Sequence, residues 1–330
     1  VRVIKIDSLK FRDEELQFPV NLLKRGELVA FPTETVYGLG GDALNERAVR
    51  KIFEVKNRPP DNPLIVHVAD YEWVFRIAKP NSIAKKLMDE FFPGPLTLVM
   101  EKKEIVPDIT TAGLRSVAVR MPNHRIALKV IELAETPISA PSANKSGKPS
   151  PTRAEHVVED LKGLIKCVID GGKTSIGLES TVVDTTVYPV EILRPGAITR
   201  EMLEEFCEVK VPKRFEKVKS PGMKYRHYSP EAETIVMVGE NAREEIMRLA
   251  EKLRKEGKRV GVAMMNAEKI DDLAVYNLGR DYRDYARRIF DALRQLDKTS
   301  DLIIVEGVEE RGIGLAIMNR LYKAGRVYRV

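Results

Sequence analysis

Lys56-Asn57-Arg58-Pro59-Pro60-Asp61-Asn62-Pro63-Leu64-Ile65-Val66-His67-Val68 contains the change of periodicity that decides the fold. Before it, Asn45 is placed to cap a helix carrying Ala48, Val49, Ile52, Phe53 and Val55 on one face, and Pro59 and Pro60 stop that helix. After it, residues 64–68 alternate as a strand. Leu64, Val66 and Val68 face one way, and Ile65 with a half-buried His67 faces the other. Further strands are predicted at 27–31, 96–100, 116–120, 137–140, 167–170, 181–184 and 191–194. Many strands with few long helices between them indicate an open mixed twisted sheet with flanking helices, an α/β fold without strict double winding.

The pattern breaks at residues 209–230, where Lys210, Lys213, Arg214, Lys217, Lys219, Lys224 and Arg226 stand against one acid, Glu216, among Pro212, Pro221 and Pro230. No apolar periodicity is visible there, so this stretch reads as an extended basic linker. Regular alternation returns afterwards, with strands at 234–239, 259–264, 274–279 and 302–307 and helices at 241–256, 281–296 and 313–323. Strands alternating with helices predict a smaller, Rossmann-like parallel α/β domain. The chain therefore divides into residues 1–208, a linker or lid at 209–232, and residues 233–330.

Its 330 residues exceed the size at which a single core stops growing, roughly 250–300 residues. Hydrophobic residues at 43% and aromatics at 6% suit a globular protein, and no run approaches the ~18 apolar residues of a membrane span. Cys167 and Cys207 are too few for a disulfide framework, and His67, His124, His156 and His227 show no metal-ligand spacing. A reducing cytosol fits this composition. The net charge of +6 is compatible with phosphate-bearing ligands without selecting one.

Two glycine motifs are decoys. Gly38-Leu39-Gly40-Gly41-Asp42-Ala43 matches a relaxed dinucleotide fingerprint, but six residues separate it from the preceding strand, and a plain glycine turn is the simpler reading. Gly171-Gly172-Lys173-Thr174 lacks the earlier glycine of a P-loop, because Cys167 occupies that position inside a strand. It reads as a turn.

Other segments carry chemistry. Thr33, Thr35 and Tyr37, after a buried strand, can line one side of a cleft. Lys56 and Arg58 close a helix whose following prolines can turn both cations into one pocket for phosphate oxygens. In residues 116–120, Val117 and Val119 take the core face, leaving Ser116, Ala118 and Arg120 on the other, a row suited to a carboxylate or phosphate. A solvated arginine on an edge strand fits the same period. Residues 137–152 are rich in hydroxyl and amide donors, including Ser142, Asn144 and Ser150. Residues 177–184 and 192–196 add Ser180 and Arg194.

Taken in order, PTETVYGLG, KNRPPDNPL–IVHV, SVAVRMP, SAPSANKSGKPSPT, GLESTVVD and ILRPGAI resemble the YrdC-like family of threonylcarbamoyl-AMP synthases over roughly residues 5–205. The linker and trailing domain resemble its long, two-domain form. The resemblance implies that L-threonine, bicarbonate and ATP become threonylcarbamoyladenylate and diphosphate, for modification of an adenosine beside a tRNA anticodon. No covalent protein nucleophile is needed, so catalysis would rest on positioning and on neutralising phosphate charge.

By resemblance, Lys56 and Arg58 are the catalytic cations and bind ATP with Asn62, Ser116, Ser142, Asn144, Ser150 and Arg194. Thr35, His67, Arg120, Ala140 and Ser180 hold threonine, with Arg120 on its carboxylate and Thr33 as a neighbour. Mg²⁺ accompanies ATP. Apart from the resemblance, Pro221-Gly222, the lack of apolar periodicity and the polar rings of Tyr225, His227 and Tyr228 make residues 220–230 either a lid over the site or a passive spacer between the domains. A downstream tRNA threonylcarbamoyl-transfer complex receives the product, with a weak tRNA contact and no membrane partner. The alternatives are a non-catalytic RNA-binding module and a different ATP-dependent carbamoyl transferase.

Overall fold

Strands Ser116–Arg120, Cys167–Asp170 and Thr181–Asp184 lie where the side-chain pattern puts them. They belong to a computed structural model that describes residues 1–212 and 228–330. The described residues fall into two compact units. The first comprises residues 1–146, 151–175 and 179–212, and the second 147–150, 176–178 and 228–330.

The first unit is built on a twelve-stranded mixed sheet. From one edge the strands run Arg2–Lys5, Cys167–Asp170, Val29–Phe31, Gly38–Asp42, Ile138–Ser139, Ile65–His67, Ser116–Arg120, Leu96–Lys102, Thr181–Asp184, Val190–Arg194 and Val209–Lys210. Ala78–Lys79 pairs with Leu96–Lys102 off this path. Val209 and Lys210 extend the sheet by pairing in parallel with Val190 and Glu191, although the sequence places them in the linker.

Ser116–Arg120 is an interior strand, parallel to Ile65–His67 on one side and antiparallel to Leu96–Lys102 on the other. The edge-strand reading is therefore corrected. Val66, Val68, Leu98, Met100, Val117 and Val119 share one core with Val74, Ile77, Leu87 and Met88 from the helices Tyr71–Ile77 and Ser82–Phe91. Each such buried side chain contributes about 1.5–3 kcal/mol. On the opposite face Ile65, Val99, Ala118, Val182 and Leu193 form a smaller cluster. With both faces covered, His67 is 3% exposed and not half-buried as expected.

Gly38–Asp42 corrects a second expectation, because these glycines form a strand and not a turn. It pairs antiparallel with Val29–Phe31 and with Ile138–Ser139. A Cβ on Gly40 would lie 2.5 Å from Phe31 Cε1 and 3.0 Å from Ile138 Cγ2, so the missing side chain makes room for the phenylalanine ring. Asn45 caps helix Glu46–Lys56, its Oδ1 accepting from the amides of Arg47 (3.0 Å) and Ala48 (3.3 Å). Asn57, in the left-handed region at φ 51°, ends that helix before the prolines.

The second unit has a five-stranded parallel sheet ordered Ala274–Asn277, Val260–Met264, Leu302–Glu306, Glu233–Val238 and Arg326–Arg329. The last strand escapes sequence reading because its two arginines flank only one apolar pair, leaving it half-exposed at the edge. Helix Tyr282–Asp297 buries Ile289, Phe290 and Leu293 and is capped by Asp281, whose carboxylate accepts from the amides of Arg283 and Asp284.

Candidate functional site

The parallel register Ile65↔Ala118, Val66↔Val119 and His67↔Arg120 brings a histidine and an arginine side by side where two buried strands end. Arg120 is 4% exposed. Its Nε donates to Gly94 O (3.2 Å) and its Nη1 to Thr35 Oγ1 (2.9 Å). Its Nη2 lies 2.7 Å from Glu34 Oε1, close enough for an ion pair. Neither Nη2 nor either Glu34 oxygen has an aligned hydrogen-bond partner. Thr33 Oγ1 donates to Val36 O (2.7 Å) and lies 2.9 Å from Thr35 Oγ1, which holds the loop after strand Val29–Phe31 in a tight turn.

Burial, followed by the charge of Arg120, pushes the pKa of His67 down to about 3, so its ring is neutral in the folded protein at ordinary pH. Its Nδ1 is buried without a partner. Ser180 stands at the same end of the sheet: its Oγ lies 2.7 Å from Thr97 Oγ1 and accepts from Arg194 Nη2 (3.1 Å). Arg194 Nε also donates to Ser180 O (3.0 Å). The structure thus joins Thr35, Arg120 and Glu34 by direct contacts, and Ser180 with Arg194 by another set. Arg194, assigned to the nucleotide by resemblance, sits with a residue assigned to threonine.

A second group forms around the end of helix Glu46–Lys56. Lys56 is 2% exposed, and its Nζ donates to the carbonyls of Ser142 and of Asn144 (2.6 Å). Ser146 N donates to Lys56 O (2.9 Å), so lysine and loop brace each other. Arg58 Nη2 donates to the carbonyls of Asn62 (3.1 Å) and Pro63 (3.2 Å). Both atoms of the Asn62 amide are buried without partners. Ser116 lies four residues and about 13 Å along its strand from Arg120. Ala140 packs on Gly38: a Cβ there would sit 3.1 Å from that of Ala140.

Tyr37 does not line the cleft as expected. It is fully buried, its hydroxyl donates to Gly172 O (2.7 Å), and burial raises its pKa. Gly172, at φ 86°, makes the turn read from the sequence. Ser150 falls in the second unit, where Arg294 Nη2 donates to the adjacent carbonyl of Pro149 (2.6 Å). Tyr228, in the same unit, is buried with its ring stacked on Phe290 at 5.3 Å, and Arg320 approaches it at 5.7 Å. Tyr225 and His227, and most of the 220–230 lid, lie outside the described residues.

Sequence reading missed Glu34 and Thr97 as members of the site. Glu34 was visible as a charged residue three positions past a buried strand, and Thr97 as a hydroxyl inside an apolar one.

A buried guanidinium at one end of an open mixed sheet and a lysine-braced hydroxyl loop beside it define a YrdC-like α/β protein. The family model described as telomere recombination, covering Sua5, YciO and YrdC, matches residues 21–196. A second, described as the threonylcarbamoyl-AMP synthase C-terminal domain, matches residues 198–325. The threonylcarbamoyl-AMP synthase of Pyrococcus abyssi is 51% identical over 97% of each chain. That of Bacillus subtilis is 46% identical over 98% of this chain and 97% of its own. The crystal structure of P. abyssi Sua5 complexed with L-threonine superposes with a TM-score of 0.95 at 49% identity, covering all of both chains. The chain belongs to the threonylcarbamoyl-AMP synthase family in its two-domain form, and it is an enzyme. The readings as a non-catalytic RNA-binding module or a different carbamoyl transferase give way to this one.

Proposed function

We propose that this enzyme is a nucleotidyltransferase that joins L-threonine, bicarbonate and ATP into threonylcarbamoyladenylate and diphosphate, the first step in making threonylcarbamoyladenosine in tRNA. The observation that carries this reading is the strand register that puts Ser116 and Arg120 on one face, about 13 Å apart. That span suits a nucleotide at one end and an amino acid at the other. Arg120 takes the threonine carboxylate, with Thr35, His67, Ser180 and the backbone at Ala140 around the rest of the molecule. A neutral His67 adds no second cation there.

Lys56, Arg58, Asn62, Ser116, Ser142, Asn144 and Arg194 hold ATP so that a carbamate oxygen can attack the α-phosphorus and expel diphosphate. The orphaned Asn62 amide supports a polar ligand beside Arg58. Among the described residues no group of three His, Cys, Asp or Glu is placed to hold a metal. Mg²⁺ would enter with the triphosphate, where it would neutralise phosphate charge. The product passes to a tRNA threonylcarbamoyl-transfer complex in the cytoplasm, with a weak tRNA contact. Among the described residues no helix is long and apolar enough to cross a membrane.

The test supplies ATP, L-threonine and labelled bicarbonate. Label must appear in an adenylate, with diphosphate release depending on both co-substrates. Equal turnover without an amino acid overturns the reading.

A further inference from the structure

We infer that Glu34 is the proton acceptor that converts the bound threonine ammonium into a nucleophilic amine. The inference rests on threonine binding to Arg120, as proposed above. A carboxylate and a guanidinium buried together normally align, because uncompensated charge is costly in a dry interior. Here they approach to 2.7 Å, yet Arg120 Nη2 and both Glu34 oxygens lack aligned hydrogen bonds. Of the other Arg120 nitrogens, Nε donates to Gly94 O and Nη1 to Thr35 Oγ1. Nη2, on the edge facing Glu34, is the Arg120 nitrogen with no aligned acceptor, and it is the one offered to a ligand carboxylate.

An α-amino acid carries its ammonium two bonds from its carboxyl carbon. A zwitterion placed with its carboxylate on Arg120 Nη2 brings its ammonium to Glu34, and each unmet group gains a partner of opposite charge. Among the described residues, the charged or titratable groups facing Glu34 are Arg120 and His124. His124 is held neutral chiefly by burial, and Glu34 opposes that shift. His67 is level with Arg120 on the neighbouring strand.

The step balances. The ammonium N–H bond breaks and its proton passes to a Glu34 oxygen, leaving R–NH₂ and a neutral carboxylic acid. The amine lone pair then attacks bicarbonate carbon, and R–NH₂ plus HCO₃⁻ gives R–NH–COO⁻ plus water. The proton on Glu34 leaves to solvent with the products.

The experiment compares wild type, Glu34→Gln and Glu34→Asp. It measures diphosphate release from pH 6.5 to 9.5, with threonine binding followed calorimetrically. Glu34→Gln is expected to bind threonine within about threefold of wild type and to lose roughly 100-fold or more in kcat at pH 7. That deficit should shrink as pH approaches the value at which free threonine itself sheds its proton. Glu34→Asp, which keeps a carboxylate, should retain more activity than Glu34→Gln at pH 7. An unchanged kcat in Glu34→Gln overturns the assignment, as does a pH-independent deficit. Loss of threonine binding in both variants also overturns it, leaving Glu34 to position Arg120. If wild type itself needs neither threonine nor bicarbonate, the failure lies with the proposed reaction.

Discussion

Lys56 donates to the backbone carbonyl of Asn144 at 2.6 Å, tying the end of one helix to a loop 88 positions away. A cation that sequence reading aims at phosphate thus also shapes the loop that offers Ser142 and Asn144. Lys56→Met keeps most of the side-chain volume but removes the donor. Charge-assisted bonds of this kind are worth about 1.5–3 kcal/mol, so ATP affinity should fall by about 10- to 150-fold, with threonine affinity changed far less. Calorimetric titration of the variant with each ligand checks this.

Arg120 and Arg58 should separate by ligand. Arg120→Lys keeps the charge but cannot reach Gly94 O, Thr35 and Glu34 together, and threonine affinity should drop by about 1.5–3 kcal/mol. Arg58→Ala removes donors to Asn62 and Pro63 and should weaken ATP by a similar amount. Swapped or identical effects in parallel titrations would refute the division.

His67 makes stability depend on pH. Its folded pKa of about 3 lies below the ordinary value of 6.5. Above pH 6.5 the ring is neutral in both folded and unfolded chains, and its contribution to stability is fully present. Below pH 6.5 the unfolded chain takes up a proton that the folded chain refuses. Stability should therefore fall by about 1.4 kcal/mol per pH unit from this residue, until the folded pKa is reached. His124, lowered chiefly by burial, adds in the same direction. Urea unfolding at pH 7.5, 6 and 5 should show a shallower decline in His67→Gln than in wild type.

Gly40→Ala tests the close packing in the sheet. The new methyl would overlap Phe31 Cε1 at 2.5 Å and press on Ile138 Cγ2 at 3.0 Å. A destabilisation of about 1–3 kcal/mol is expected. Pairing it with Phe31→Leu, which vacates the space, should recover part of the loss in thermal unfolding.

What could be read from the sequence tracks how locally each element is determined. Ser116–Arg120 was legible to the residue, because Val117 and Val119 alternate cleanly against small and polar neighbours. Gly38–Asp42 was hidden: a strand with three glycines has almost no side-chain pattern, and its partners lie on Val29–Phe31 and Ile138–Ser139. Arg120 was identifiable as an anion-binding candidate, but its contact with Glu34 joins residues 86 positions apart and follows from sheet order. The bracing of Ser142 and Asn144 by Lys56 was equally invisible. Motif resemblance named these residues without saying what they touch.

Sheet order also fixes when this enzyme can be assembled during synthesis. Arg2–Lys5 and Val29–Phe31 both lie in parallel against Cys167–Asp170, a strand translated more than a hundred residues later. At about 5–20 residues per second, the ribosome takes on the order of ten seconds to deliver that partner. Throughout that interval the loop bearing Thr33, Glu34 and Thr35 is anchored on one flank only. The loop bearing Thr33, Glu34 and Thr35 is thus among the later parts of the first unit to be fixed in place, although its residues are among the first to emerge.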